Sequence, residues 1–213
     1  MERDELNFFS RWEEVEETKN RLPHWQQHGA LYFVIWRLAD SIPETVLAQH
    51  FEDRRAWLKR HPEPWDEETE KQFHACFSSE LDRWMDRGQG QCLLRKVENA
   101  RILAQTLQHF EGQRSLMISF VAMPNHVHVL FALKHQEELG KTIQSWKRQS
   151  AREINRRENR SGALWQKDYF DRLIRNGTHF ENCVRYIRNN PRKARVEEGQ
   201  YLLFESNLAK SID

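Results

Sequence analysis

The stretch Met123-Pro124-Asn125-His126-Val127-His128-Val129-Leu130-Phe131 constrains this chain most, because a polar turn runs straight into an apolar segment that carries two histidines. If His126 to Leu133 is a buried strand, side chains two apart share a face. His126 and His128 then project together, roughly 6.6 Å apart along the backbone. That spacing lets two imidazoles reach one metal ion. It fits equally two strand histidines satisfied by protein partners, and the pair alone does not choose between these readings. Ser115 to Ala122 is a second apolar run, and with Pro124-Asn125 as the turn the two strands form a hairpin.

The remaining elements follow from periodicity and punctuation. Residues 5 to 27 are polar with scattered aromatics, a weakly amphipathic arm that ends near Pro23. Ala30 to Leu38 is β-branched and aromatic between Gly29 and Pro43, which predicts a strand. From Glu44 to Arg87 the pattern is helical. Val46, Leu47 and Phe51 form one stripe and Phe73, Phe77, Leu81 and Trp84 another, parted by the breaker His61-Pro62-Glu63-Pro64, and these aromatics read as core. A helix is expected from about Leu93 to Phe110, and another from Gly140 to about Arg157 with Ile143, Trp146, Ser150 and Ile154 on its apolar face. Leu164 to Arg175 reads as extended up to the Asn176-Gly177 turn. The last helix has Thr178 as N-cap, with Glu181 completing a capping box, and ends at Pro191. This order suggests an α+β fold, an antiparallel sheet with helices packed against one face.

Charge is segregated along the chain. Residues 1–140 hold 17 Lys and Arg against 23 Asp and Glu, residues 141–195 hold 15 against 5, and residues 196–213 hold 1 against 4. The basic segment also holds Trp146, Trp165, Tyr169, Phe170 and Tyr186. Interleaved cations and aromatics suit single-stranded nucleic acid, with charges for phosphates and ring faces for bases, although a solvated basic face would carry the same signature. Lys147, Arg148, Arg152, Arg156, Arg172 and Arg175 are the candidate DNA contacts. No 18-residue apolar run is present and the first residues are acidic, so a cytoplasmic location without membrane contact is expected. Cys76, Cys92 and Cys183 are widely spaced and read as reduced and structural.

In the last helix, Phe180, Cys183, Val184 and Ile187 form the buried stripe, while Tyr186 and Asn190, at i and i+4, share a strip along its edge. If that edge faces the histidines, His126, His128 and Asn190 surround a divalent cation with Tyr186 as nucleophile. Taken alone, Tyr186 reads as a core-edge tyrosine before it reads as a catalyst.

Met-Pro-Asn-His126-Val127-His128, the Leu164-Trp165-Gln166 to Arg175 stretch and Tyr186-Ile187-Arg188-Asn189-Asn190-Pro191 together resemble the single-tyrosine, His-hydrophobic-His transposases, in particular the REP-associated tyrosine transposases of bacterial chromosomes. The resemblance covers about residues 28–195 and has its three motifs in order. It implies a ferredoxin-like α+β fold; the chain is read as one domain over 1–213, in which the helical stretch at about 44–87, longer than in the compact members, departs from the family as an insertion, and a C-terminal tail runs from 196. The resemblance implies Mg²⁺ or Mn²⁺ on His126, His128 and Asn190. It also implies that Tyr186 cleaves single-stranded DNA beside a REP-type hairpin, leaving a 5′-phosphotyrosine and a free 3′-OH. The partner would be single-stranded or hairpin DNA of the nucleoid, and the protein a monomer or homodimer. A hairpin-DNA binder that does not cut and a metal-dependent hydrolase using activated water are the competing expectations.

Overall fold

The computed structural model describes residues 6–19, 23–62, 66–73, 76–77, 79–134 and 136–213. Met1 to Glu5, and Glu63 and Pro64 of the breaker, lie outside them. The arm forms a small hairpin of β1 (Glu16–Lys19) and β2 (Pro23–Gln26). The main sheet has β3 (Leu31–Arg37), β4 (Ser115–Ala122), β5 (His126–Leu133), β6 (Phe170–Leu173) and β7 (Leu202–Glu205), in the order β6-β3-β5-β4-β7 with every neighbouring pair antiparallel.

The β4–β5 hairpin turns at Pro124-Asn125, and Met123 N–H donates to the His126 carbonyl at 2.8 Å. Helix α4 (Val97–Gln108), entered through a 3-10 turn at Leu93–Arg95, lies in the β3–β4 connection, and α5 (Leu139–Arg157) lies in the β5–β6 connection. The order β6-β3-β5-β4 with these two helical connections is the ferredoxin-like arrangement.

Helices cover both faces of the sheet. Tyr32, Val34 and Trp36 of β3 and Val127, Val129 and Phe131 of β5 pack with Leu103 and Leu107 of α4 and Ile143 and Trp146 of α5. The alternate residues Leu31, Phe33, Val121 and Leu130 pack with Phe180, Val184 and Ile187 of α6 (Gly177–Lys193). The expectation of one covered face is therefore corrected. An unbroken apolar strand such as β5, buried on nearly every residue, needs partners on both sides.

The C-terminal residues were expected as an unpatterned acidic tail. They instead supply the edge strand β7 and a short helix α7 (Asn207–Lys210), and Ala209 and Ile212 are buried beside α6.

The segment from Glu44 to Arg87 folds as α1 (Glu44–Arg60), α2 (Glu67–Phe73) and α3 (Ser79–Asp86). Of its aromatics expected as core, Phe73 and Phe77 are buried in a cluster with Trp57, whereas Phe51 and Trp84 are only partly buried against a second cluster of Ile42, Leu47 and Met85, on which Ile35 of β3 also packs. At its exit Gly90 takes φ +86°, and a Cβ there would lie 2.6 Å from the Asp40 carbonyl oxygen, so only glycine fits this close approach. Among the described residues the three cysteines are free; Cys92 and Cys183 are buried, but Cys76 is exposed and packs no core. Among the described residues no helix is long and apolar enough to cross a membrane.

Candidate active site

The β5 pleat turns His126, His128 and Leu130 toward α6. The histidine rings lie 4.8 Å apart between centroids at 79°, and both side chains are buried. His126 Nδ1 is 2.7 Å from Asn125 Oδ1, and because a carboxamide oxygen only accepts, the imidazole donates from Nδ1 and leaves its lone pair on Nε2. Asn125 is itself held from the other side, its Nδ2 donating to the carbonyls of Met85 (3.2 Å) and Gln89 (3.1 Å) at the end of the helical insertion. The residue before the first histidine thus sets its tautomer and ties it to a segment about forty residues earlier.

Helix α6 supplies the other half. Its N-cap is Asn176, whose Oδ1 accepts from His179 N–H at 2.8 Å; Thr178 and Glu181 were expected to form a capping box, but Thr178 lies inside the first turn and Glu181 pairs with Arg185 at 3.2 Å. The helix also passes through Pro191 to Lys193 instead of ending there. The missing N–H removes one hydrogen bond a turn from the helix end, where the loss is smallest. Asn190 stays helical, so Tyr186 and Asn190 do share one strip. The Tyr186 ring lies 5.3 Å from that of His128 and 5.8 Å, edge-on, from Phe33.

The donor atoms at this centre are buried and have no protein partner: His126 Nε2, both ring nitrogens of His128, and Asn190 Oδ1. Buried polar groups are ordinarily paired, so two neighbouring neutral imidazoles, each with an uncommitted lone pair, and an unpaired carboxamide oxygen on the facing helix are what a cation site looks like before its ion is considered. Burial pushes the His126 imidazole down to about 3 and holds His128 well below its usual value, with the Lys193 charge acting in the same direction; both rings are neutral at physiological pH and free to ligate. Among the described residues no cluster of three or more His, Cys, Asp or Glu side chains is disposed to hold a metal, and the third donor here is a carboxamide. Two imidazoles and an amide oxygen suit Mn²⁺ at least as well as Mg²⁺, which favours an all-oxygen shell.

Sequence reasoning missed the contribution of the insertion. Tyr186 Oη donates to Asp82 Oδ2 of α3 at 2.7 Å, and Asp86, one turn on, lies 3.9 Å from Lys193 Nζ. Burial, then the Asp82 charge, raise the phenol above its ordinary range, while the Asn190 amide opposes them. Burial raises Asp86 to about 6. Asp82 and Asp86 share the i, i+4 edge of an amphipathic helix, which marks a solvated face as readily as a site.

A cleft of about 1540 Å³ leads to Tyr186. One wall is α5 and residues 162–172; the other is the insertion, with Phe51, Phe73 and Phe77. Its lining holds seven lysines and arginines against three carboxylates, a positive balance that attracts anions. Of the candidate DNA contacts, Lys147, Arg148 and Arg172 line it, whereas Arg152, Arg156 and Arg175 do not. Arg152 and Arg156 both pair with Glu153 on the outer side of α5. Lys147 is committed within the protein: its ammonium donates to the carbonyls of Gln166 (2.6 Å), Lys167 (2.8 Å) and Asp168 (3.3 Å) and so fixes the loop before β6. Tyr169, the other tyrosine of the basic segment, stacks on His24 at 4.2 Å rather than beside the histidine pair.

Residues 93–190 match the family described as "Transposase IS200 like". Among solved structures, the REP-associated tyrosine transposase bound to a REP hairpin aligns at 14% identity and a TM-score of 0.45, covering 81% of this chain and 72% of that one. A putative transposase from Deinococcus radiodurans R1 aligns at 18% identity and a TM-score of 0.32, covering 78% of this chain and 93% of that one. No curated protein gives a significant match.

Proposed function

We propose that this chain, whose residues 93–190 match the IS200-like transposase family, is a metal-dependent single-stranded DNA endonuclease and strand transferase that acts beside REP-type hairpins through a covalent 5′-phosphotyrosine. The observation that carries the reading is the convergence of Tyr186 with the unpartnered donor atoms of His126, His128 and Asn190 at the end of a cation-lined cleft. The REP-type hairpin and the polarity of cleavage rest on the likeness of the three motifs to the REP-associated members.

The geometry supports the following roles. Arg148 and Arg172 line the cleft and attract the phosphodiester backbone, and on the opposite wall half-buried Phe51 offers a ring face to an unstacked base, backed by the buried Phe73 and Phe77. His126, His128 and Asn190 would hold Mg²⁺ or Mn²⁺, which supplies a positive charge on the scissile phosphate and offsets the charge that develops there. Helix α6, capped at Asn176, fixes the direction of Tyr186 relative to Asn190. One rigid element therefore positions both nucleophile and ligand, the arrangement in which positional catalysis gains most. Tyr186 Oη attacks phosphorus, the 3′-oxygen leaves, and return attack by a 3′-OH on the phosphotyrosine joins strands.

The test is incubation of the protein with end-labelled single-stranded hairpin DNA and Mn²⁺, followed by denaturing electrophoresis. A protein–DNA adduct and a free 3′-OH fragment are expected, both lost in Tyr186→Phe. Cutting that survives Tyr186→Phe would establish a hydrolase, and binding without any cut a hairpin-binding protein.

A further inference from the structure

Attack by Tyr186 requires its hydroxyl proton to go somewhere. Neither imidazole is available, because both are assigned to the cation, and the Asn190 carboxamide cannot take a proton. The side-chain oxygen that accepts a hydrogen bond from Tyr186 Oη, at 2.7 Å, belongs to Asp82. That distance is within the reach a general base needs. The carboxylate is held firmly: Leu81 and Met85, either side of it on α3, pack with Ile35, Ile42 and Leu47, the Met85 carbonyl is tied to Asn125, and Asp86 is paired to Lys193.

We propose that Asp82, contributed by the helical insertion, is a catalytic residue of the reaction inferred above: it takes the Tyr186 proton as Oη attacks phosphorus and returns it when the phenolate departs. The inference rests on that reading of the site. In the forward step the Oη–H bond breaks and the proton passes to Asp82 Oδ2. The Oη–P bond forms, the P–O3′ bond breaks, and the electron pair leaves on the 3′-oxygen, which is protonated by water. In strand transfer the incoming 3′-OH gives its proton to water and attacks phosphorus, the Oη–P bond breaks, and Asp82 reprotonates the phenolate. Burial raises the Asp82 carboxyl, while the charges of Lys193 and Arg172 draw it back toward the ionised form that can accept a proton. The insertion is therefore part of the reacting centre, and its loss would remove a proton acceptor as well as a cleft wall.

The experiment compares wild type with Asp82→Asn in single-turnover adduct formation on the labelled hairpin, alongside hairpin affinity, Mn²⁺ affinity and thermal unfolding. Asparagine keeps the shape and an accepting oxygen but cannot take the proton. The expected result is unchanged folding, DNA binding and Mn²⁺ binding, with adduct formation slowed by about 10²- to 10⁴-fold. A fluorinated tyrosine at position 186, whose phenol is more acidic, should restore a large part of the rate in Asp82→Asn, because a phenol that ionises unaided no longer depends on a base. A slow rate that the fluorinated tyrosine leaves untouched would make Asp82 a positioning residue and overturn the proposal. A rate equal to or above wild type would make the hydrogen bond a latch, and loss of Mn²⁺ binding would make Asp82 a ligand; either also overturns it. Failure of wild type itself to form an adduct would sink the reading of the site instead, so the two failures are separable.

Discussion

Asn125 does two jobs through one side chain, and both bear on His126. Its Oδ1 fixes the imidazole with Nε2 open, and its Nδ2 reaches the carbonyls that end the insertion. Partners behind a ligand orient it and raise its basicity, so Asn125→Ala is expected to lower Mn²⁺ affinity by about 10- to 100-fold with the fold retained. Calorimetric titration with Mn²⁺ checks this, and an unchanged affinity would remove Asn125 from the site. The two histidines were legible in the sequence because a strand has period two. The work of Asn125 was not, since it depends on carbonyls about forty residues away. His24 was equally hidden. Burial alone would lower it, but hydrogen bonds from its two ring nitrogens to Asp168 and Asp171 outweigh burial and raise it from 6.5 to about 9. A raised folded-state value means that its stabilisation is full below pH 6.5 and is lost as pH rises through about 9. Urea midpoints should fall across that window in the wild type, and a midpoint that stays level there would contradict the assignment.

At the scale of elements, β3, the β4–β5 hairpin and α5 could be read from alternation, turn residues and a 3.6 period because tertiary packing follows those patterns. Helix α6 shows where such reading stops. Thr178 and Glu181 have the spacing of a capping box, yet the chain starts its helix at Gly177, and Asn176 caps it because the turn from β6 leaves that carboxamide facing the His179 N–H. Asn176→Ala should therefore cost about 1 kcal/mol of stability and Thr178→Ala only a few tenths. Chemical denaturation of both variants decides this, and equal losses would return the cap to Thr178. Strand β7 escaped notice because its four residues, Leu202–Glu205, are only half-buried and show no alternation; only the open edge of β4 makes them a strand. Helix α3 was legible as a helix but not as a part of the site, because nothing local in Asp82 announces a tyrosine 104 positions later.

Across the whole molecule, part of the basic segment, with Lys141, Lys147, Arg148, Lys167 and Arg172, joins Arg37 and Arg54 along one cleft whose other wall is the insertion. The cations differ in what they are free to do. Arg148 lies exposed along the cleft, so Arg148→Ala should weaken binding to single-stranded DNA and flatten its log-log salt dependence by about 0.7. Lys147 is held by three carbonyls, so Lys147→Ala should lower thermal stability and leave that slope nearly unchanged. Equal slopes lost in both variants would mean that the loop before β6 lets go of Lys147 when DNA enters. The account as a whole depends on Tyr186 being the residue that joins DNA, with Tyr169 in the same cleft as its rival. Protease digestion of the denatured adduct, followed by mass spectrometry of the nucleotide-bearing peptide, measures this directly. The account predicts the phosphodiester on Tyr186, and a modified Tyr169 with Tyr186 unmodified would contradict it.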